Sequence, residues 1–337
     1  MDFGSYAQRG GEASMLRLRM PGGRITKEKL KFLVDAIAAY DVRRVHLTTC
    51  QTVQFHDLGM KAVVTLWNGR WKSASLLVVV VETFPRNVMV SPLSGVEQGE
   101  YFDVLPYAER TGDYLMGMIK TVKLPRKLKV GFSNSPANVT HATFRDLGFM
   151  AKENGLFDVY SAGGLGNNYK MGVKVAENVK PEEVLYYVEA MVRTFTTYGN
   201  YESRAKSRTR YMQETLGVEG YKKAYQEKLL EVKAEFKDSL LIKESSVSAE
   251  QESNTEESVV NIKEQESQLK NVAAYPQTES ASERVITQKQ AGLYAVAYHP
   301  VGGMVPAQKF EEIYEEIKNA AKAEVRVDPM RPCISLI

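Results

Sequence analysis

One repeat constrains this chain more than any other feature of its sequence. Residues 15–20 alternate apolar and basic side chains as a half-buried strand does, a Pro-Gly-Gly turn follows, and apolar residues then recur at helical spacing before a strand at 42–47. The same order returns near residue 300, and the equivalent positions keep one constant spacing: Gly22 and Gly302, Leu30 and Phe310, Leu33 and Ile313, Ile37 and Ile317, Val45 and Val325. We predict a duplicated β-turn-α-β unit whose two copies complete one four-stranded sheet, with helices on one face, and bring the ends of the chain together.

The stretch between the two units predicts a mixed α/β domain. Alternation indicates strands near residues 128–132 and 157–160, and Pro181 precedes apolar residues at helical spacing. Residues from 243 onward turn to Ser, Glu, Gln, Lys and Asn, which cannot form a core, so we expect a flexible linker, with a regulatory tail as the alternative. The predicted fold is therefore α+β, with these parts: a first half-domain at 1–62, an anomalous segment at 63–84, a core domain at 85–242, a linker at 243–284 and a second half-domain at 285–337.

Composition excludes several classes of protein. The 44 Lys and Arg residues against 41 Asp and Glu give a net charge of +3, which argues against nucleic acid or a membrane as partner and leaves any basic chemistry local. Cys50 and Cys333 are the only cysteines, and neither lies in a Cys-x-x-Cys pair or a His/Cys cluster, so we predict no disulfide framework and no metal ligands. No segment is apolar over the length of a membrane span or a signal peptide. We expect a cytoplasmic protein.

Four basic residues beside Gly, Pro or Asn form the main candidate site: Arg19, Arg86, Lys127 and Lys129. Converging cations offset the charge of a small oxyanion and can donate protons to it, although spacing alone favours a solvated surface. The glycine-rich loop at 163–168 either cradles a carboxylate or phosphate or simply joins two strands. The four histidines are scattered singly, which favours core or hydrogen-bonding roles over metal binding, and an isolated cysteine such as Cys50 is more often buried than nucleophilic.

Taken together, the motifs resemble the siroheme-dependent nitrite/sulfite reductases. Six stretches follow that family's order: LRMPGGRIT (18–26), HLTTCQTVQFHDL (46–58), PRNVMVSPLSG (85–95), LPRKLKVGFS (124–133), THATFRDLGF (140–149) and GGLG (163–166). The resemblance implies paired ferredoxin-like half-domains flanking a reductase core, with siroheme and a [4Fe-4S] cluster as cofactors. It implies six-electron reduction of sulfite or nitrite, with electrons from ferredoxin or a reductase subunit. It also assigns residues: Arg19, Arg86, Lys127 and Lys129 surround the anion, and Thr48, Cys50, Gln51 and Gln54 line the siroheme.

Two departures from the family lead us to expect little or no turnover. Cys50 stands where the family has an arginine that pairs with siroheme carboxylates. The family also holds its cluster with four cysteines in a second homologous half, whereas this chain resembles the first half and its returning half-domain and has two cysteines. The alternatives are a non-catalytic module that binds a tetrapyrrole or an anion, a half-subunit that needs a partner chain, or a generic α/β anion-binding domain.

The resemblance lapses between Val64 and Phe84 and resumes at Pro85. A reading frame displaced by one base would convert residues 65–83 into a helix followed by the family's glycine run. The same displacement from Asp328 onward would continue the second half-domain. We hypothesise two local frame displacements, with genuine divergence as the alternative. Resequencing the coding DNA tests this hypothesis, since an intact frame at both places would end it.

Overall fold

The computed structural model describes residues 5–8, 10, 13–68, 84–119, 121–243, 284–320, 323–329 and 334–337. The predicted linker, apart from its two end residues, lies outside these ranges, as does most of the segment assigned to the first frame displacement. Both interpretations therefore stay predictions. The described residues form three five-stranded sheets. No helix among them is long and apolar enough to cross a bilayer.

The first β-turn-α-β unit forms as its sequence pattern predicts. Leu16, Leu18 and Phe55 are fully buried, because alternate side chains of a strand share one face. Thr26 begins the helix by accepting a hydrogen bond from the backbone N–H of Lys29. The elements are β1 (Ser5–Ala7), β2 (Ser14–Arg19), β3 (Arg24–Ile25), α1 (Lys27–Ala39), β4 (Arg44–Leu47), β5 (Thr52–Leu58) and α2 (Met60–Asn68).

The middle of the chain forms the predicted mixed α/β domain. Its sheet has the order β10-β9-β8-β7-β6, with parallel pairing from β6 to β8 and antiparallel pairing from β8 to β10. Val184, Val188 and Phe195 are fully buried on one helix face, as their spacing predicts. The elements are β6 (Met89–Val90), α3 (Leu105–Gly117), β7 (Val130–Ser133), β8 (Leu147–Ala151), β9 (Phe157–Ser161), β10 (Val173–Val179), α4 (Val184–Tyr198) and α5 (Met212–Phe236).

The second β-turn-α-β unit repeats the first in the same order. Gly22 and Gly302 both adopt left-handed φ angles, +61° and +59°, at equivalent turns. Phe310 and Ile313 bury the inner face of the second helix in the core that also contains Leu30 and Leu33. The elements are β11 (Val285–Thr287), β12 (Tyr294–Tyr298), β13 (Met304–Pro306), α6 (Ala307–Ile317), β14 (Val325–Val327) and β15 (Ile334–Leu336).

The two units do not complete one four-stranded sheet, so that prediction is wrong. Each unit has its own sheet, in the orders β1-β2-β5-β4-β13 and β11-β12-β15-β14-β3. The short strand after each glycine turn crosses to the other unit, so that β3 pairs with β14 and β13 pairs with β4. This exchange covers one edge of each sheet, and both units share one core. The expectation that the ends of the chain pack together is therefore confirmed.

The last strand bears on the second proposed frame displacement. β15 pairs with β12 and β14 in the same way that β5 pairs with β2 and β4. The chain as written thus supplies a strand at the position where the displaced frame would also place one. Residues 330–333 lie outside the described ranges, and the frame hypothesis stays a prediction.

Candidate functional site

A cavity of about 180 Å³ lies between the first sheet and the core domain. Five cationic and four uncharged residues form its wall, and no carboxylate of the described chain lines it. The lining residues are Arg17, Arg19, Thr48, Cys50, Thr52, Arg86, Asn87, Lys127 and Lys129. All four cations of the predicted anion site therefore meet at one place. We call this space the cation cavity.

Arg19 and Arg86 carry unsatisfied donors at the cation cavity. Arg19 ends β2 and is 2% exposed. Its Nη2 donates to the Arg86 carbonyl (2.7 Å) and its Nη1 contacts the Met116 sulfur (2.6 Å). Nε of Arg19, and both Nε and Nη1 of Arg86, are buried without a hydrogen-bond partner in the described part of the chain. Burial lowers the pKa of Arg19 to about 10; Asp113 acts against this shift and Arg86 adds to it. Buried donors without acceptors are costly, which favours an anionic partner beside these two arginines.

Lys127 and Lys129 reach the cation cavity from the segment before β7. Leu128, between them, is fully buried, and its carbonyl accepts from the Arg86 backbone N–H (2.7 Å). The extended backbone places both lysines on the other side, as the sequence spacing predicts. Burial, the largest cause, and several neighbouring cations, of which Lys129 has the largest effect, together lower the pKa of Lys127 to about 8.

The tight turn between β4 and β5 supplies the uncharged part of the wall. The Thr48 backbone N–H donates to the Thr52 carbonyl (3.0 Å), and the two threonine hydroxyls lie 2.7 Å apart. Asn87 Nδ2 fixes this turn to the core domain by donating to the carbonyls of Met20 (2.6 Å) and Cys50 (2.9 Å). Thr48 and Cys50, two predicted siroheme-lining residues, therefore line the cation cavity.

Gln51 and Gln54 lie behind the cation cavity rather than on its wall. The Gln51 side chain is fully buried; its Nε2 donates to the carbonyls of Val90 (2.9 Å) and Val327 (2.6 Å), and its Oε1 accepts from the Val90 backbone N–H (2.8 Å). Gln51 thus joins both half-domains to the core domain. The Gln54 amide pairs with His46 Nδ1 at 2.9 Å on the polar face of the first sheet.

The other motifs lie apart from the cation cavity. The histidines are not all isolated, since antiparallel pairing of β4 and β5 brings the ring centroids of His46 and His56 to 6.0 Å. Burial lowers the pKa of His56, and His46 lowers it further. In the glycine-rich loop, the Gly164 N–H and carbonyl both pair with Lys170 at 2.9 Å, so these groups serve the connection between β9 and β10.

Asp146 is a residue that the sequence reasoning missed. Its buried carboxylate accepts from the Lys129 backbone N–H (2.8 Å), from Arg208 Nη2 (3.0 Å) and from the Thr209 hydroxyl. It therefore fixes the backbone of one cavity lysine. Asp146 directly precedes β8, and Lys129 directly precedes β7. These two strands are parallel neighbours, so they begin at the same edge of the sheet. That topological signal becomes visible only once the strand order is known.

The donors of the cation cavity fit an anionic group but not an iron–sulfur cluster. Siroheme carries carboxylates, and the unpartnered N–H groups of Arg19 and Arg86 are suited to a carboxylate or an oxyanion. A [4Fe-4S] cluster takes four thiolates, whereas the chain contains two cysteines. The described residues also contain no group of three or more His, Cys, Asp or Glu side chains that could hold a metal ion.

Two family models match the chain over the domains described above. Residues 6–69 match the nitrite/sulfite reductase ferredoxin-like half domain, and residues 82–233 match the nitrite and sulphite reductase 4Fe-4S domain. The first match contains β2, β4 and β5, and the second contains the core sheet, α3, α4 and most of α5. The chain is also 27% identical over 256 residues to the sulfite reductase [NADPH] hemoprotein beta-component of Anoxybacillus flavithermus, covering 64% of this chain and 44% of that protein.

Other relatives and solved structures agree. The beta-component of Shewanella oneidensis is 28% identical over 246 residues, covering 62% of this chain and 43% of the relative. The chain thus spans less than half the length of these relatives. The structure of the Mycobacterium tuberculosis NirA protein superposes with a TM-score of 0.76 at 21% identity, covering 99% of this chain and 58% of that one. Dissimilatory sulfite reductase I gives a TM-score of 0.53 at 10% identity, covering 64% and 69%. The predicted α+β fold with ferredoxin-like half-domains is confirmed.

Proposed function

We propose, for a chain that belongs to the nitrite and sulphite reductase family, that the cation cavity binds a small oxyanion, sulfite or nitrite. One observation carries the proposal: Arg19, Arg86, Lys127 and Lys129 converge on a cavity that no described carboxylate lines. Buried N–H donors of both arginines lack acceptors there. Charge-assisted hydrogen bonds to an oxyanion would satisfy these donors and offset the mutual repulsion of the cations.

The basic residues of the cation cavity have different roles in this proposal because their side chains differ in chemistry. The guanidinium of Arg19 is held by Met116 and Arg86, so its orientation beside the cation cavity is fixed. Lys127 has a pKa of about 8, so it can give up a proton near neutral pH more readily than an ordinary lysine. Lys129 is positioned through Asp146. We infer that Lys127 delivers protons and that the arginines orient the anion.

The same wall would hold siroheme, which when bound supplies the iron centre for the reduction. Arg17 and Thr48 line the cation cavity beside Cys50 and can pair with carboxylates. Gln51 has its amide committed to backbone groups, so we propose that it holds the turn in place rather than touching the macrocycle. Arg17 would then compensate in part for the charge that Cys50 does not provide.

Six-electron turnover, on this proposal, requires cluster ligands beyond those in these 337 residues. Two cysteines cannot hold a [4Fe-4S] cluster, so the cluster and the path from a donor such as ferredoxin or a reductase subunit must come from elsewhere. The same cysteine count favours the second candidate, a non-catalytic module that binds a tetrapyrrole or an anion. The two candidates share the cation cavity and differ in whether a partner restores electron transfer.

Titration of sulfite and of nitrite into the purified chain by calorimetry tests the anion site. We expect Lys129→Gln to weaken binding by about tenfold or more, since a charge-assisted contact contributes roughly 1.5–3 kcal/mol. Lys61→Gln removes an exposed lysine on α2 and is the matched control. Equal affinities for the two variants, or no binding by the unmodified chain, would contradict the proposal.

The visible spectrum of the chain purified from siroheme-producing cells tests the cofactor. We expect siroheme bands and iron without acid-labile sulfide. Acid-labile sulfide in stoichiometric amount would contradict the argument from the cysteine count. A colourless, iron-free protein that still binds sulfite would refute siroheme binding and leave the anion-binding module.

A further inference from the structure

Cys50 presents a thiol on the wall of the cation cavity. It is partly exposed and lies at the tip of the turn between β4 and β5. Its backbone is held on both sides, since its N–H donates to Thr48 Oγ1 (3.3 Å) and its carbonyl accepts from Asn87 Nδ2 (2.9 Å). The backbone of Cys50 is therefore held in place on a positively charged wall, and its thiol is partly exposed rather than packed in a core.

A second observation indicates that a negative group belongs beside this thiol. Arg19 is 2% exposed, lines the same cavity, and its Nε has no partner within the described residues. Burial lowers the pKa of Arg145, and the nearby Cys50 sulfur acts in the opposite direction, so sulfur and guanidinium lie within electrostatic range. A reagent that carries a carboxylate would find both an attacking sulfur and unpaired donors in one place.

We propose that Cys50 is a thiolation site that reacts selectively with small anionic disulfides. The thiol loses its proton to solvent, and the thiolate attacks one sulfur of the disulfide. A new S–S bond to Cys50 forms, the old S–S bond breaks, and the other half leaves as a thiolate with the electron pair. Cys50 is oxidised to a mixed disulfide, and the reagent is reduced by the same two electrons.

Selectivity follows from the charge of the wall. Five cations line the cavity without an opposing described carboxylate, so an anionic reagent is concentrated there and a cationic one is repelled. In the product, the carboxylate of the attached group can pair with Arg19 or Lys127. The adduct would then occupy the cavity in place of the oxyanion; this consequence rests on the proposed function, whereas the selectivity of the thiol does not.

Paired disulfides of opposite charge test the proposal on the full chain carrying Cys333→Ser, so that Cys50 is the only thiol. The rate of Cys50 modification is measured with 3,3′-dithiodipropionate, a dianion, and with cystamine, a dication. Each rate is then divided by the rate at which the same disulfide reacts with the uncharged thiol N-acetylcysteine amide. At low salt we expect the normalised anionic rate to exceed the cationic one by about tenfold or more. The ratio should fall toward one in about 0.5 M salt, where screening is strong.

The double variant Lys127→Gln/Lys129→Gln should lower the ratio of the anionic to the cationic rate, and Lys61→Gln should leave that ratio unchanged. Circular dichroism verifies that each variant is folded. Equal normalised rates at low salt would overturn the proposal. The proposal would also be overturned if neither reagent modified Cys50 in the folded chain while both modified it in urea. Selective thiolation in a chain that does not bind sulfite would refute the proposed function and retain the thiolation site.

Discussion

At Lys127, protonation and anion binding are coupled. Burial, together with the nearby charges of Lys129 and other cations, lowers the pKa of its ammonium group to about 8. A bound anion favours the charged form and therefore raises that pKa. At pH 8 about half of the Lys127 side chains are neutral in the free protein and must take up a proton when the anion binds.

We therefore predict net proton uptake when nitrite, which does not itself titrate in this range, binds near pH 8. Uptake should vanish at pH 6, where Lys127 is already charged, and affinity should fall as the pH rises through 8. Calorimetry in Hepes and in Tris, whose ionisation enthalpies differ, measures the number of protons. Lys127→Gln should abolish the uptake. Proton uptake that persists in this variant would assign the linkage to another group.

Between elements, a glycine turn determines how closely the half-domains approach the core domain. A Cβ on Gly23, whose φ is +72°, would lie 2.6 Å from Gln51 Nε2 and 2.7 Å from the Val327 carbonyl oxygen. The same atom on Gly302, at φ +59°, would meet nothing within 4 Å. Both substitutions strain a left-handed residue, but only the first one also displaces the Gln51 contacts.

We predict that Gly302→Ala lowers the free energy of unfolding by about 1–2 kcal/mol through backbone strain alone. Gly23→Ala should lower it by a further 1–3 kcal/mol or so, since the added methyl group overpacks a site that is closed by the Gln51 side chain and by the backbone carbonyl of Val327. Urea denaturation of the two variants measures the difference. Equal losses would mean that the contact through Gln51 adds nothing to stability.

Hydrophobic periodicity predicted the helices and strands well because it reflects which side chains are buried. Leu30 and Phe310, at equivalent positions of the two units, are both fully buried. Periodicity also placed Lys127 and Lys129 on one side of their segment. It did not predict that β3 and β13 exchange sheets, since two-residue and three-residue strands have almost no pattern of their own. Nor did it predict that Gln51 faces carbonyl groups rather than the cavity, because a left-handed φ of +55° at that residue redirects its side chain.

At the scale of the whole molecule, the reciprocal exchange makes the two ends of the chain parts of one structure. β3 pairs with β14, β13 pairs with β4, and Phe310 is fully buried in the core that contains Leu16 and Val45. Arg24 of β3 also forms an ion pair with Glu324 beside β14, with Nε and Oε2 2.6 Å apart. These contacts do not depend on a covalent connection through residues 244–283.

We therefore predict that residues 1–243 and 284–337, expressed together as separate polypeptides, co-purify through a tag on either one. Phe310→Asp in the smaller fragment should abolish co-purification, since it places an unpaired charge in the shared core, where burial of a charge costs several kcal/mol. Glu311→Gln, at an exposed position of the same helix, should not abolish it.

If the tagged fragment is recovered alone, the connecting segment holds the half-domains together. If Phe310→Asp and Glu311→Gln behave alike, the association does not arise from the shared core. Recovery of both fragments, with failure of the core variant alone, would show that strand exchange and core packing assemble the half-domains without the connecting segment.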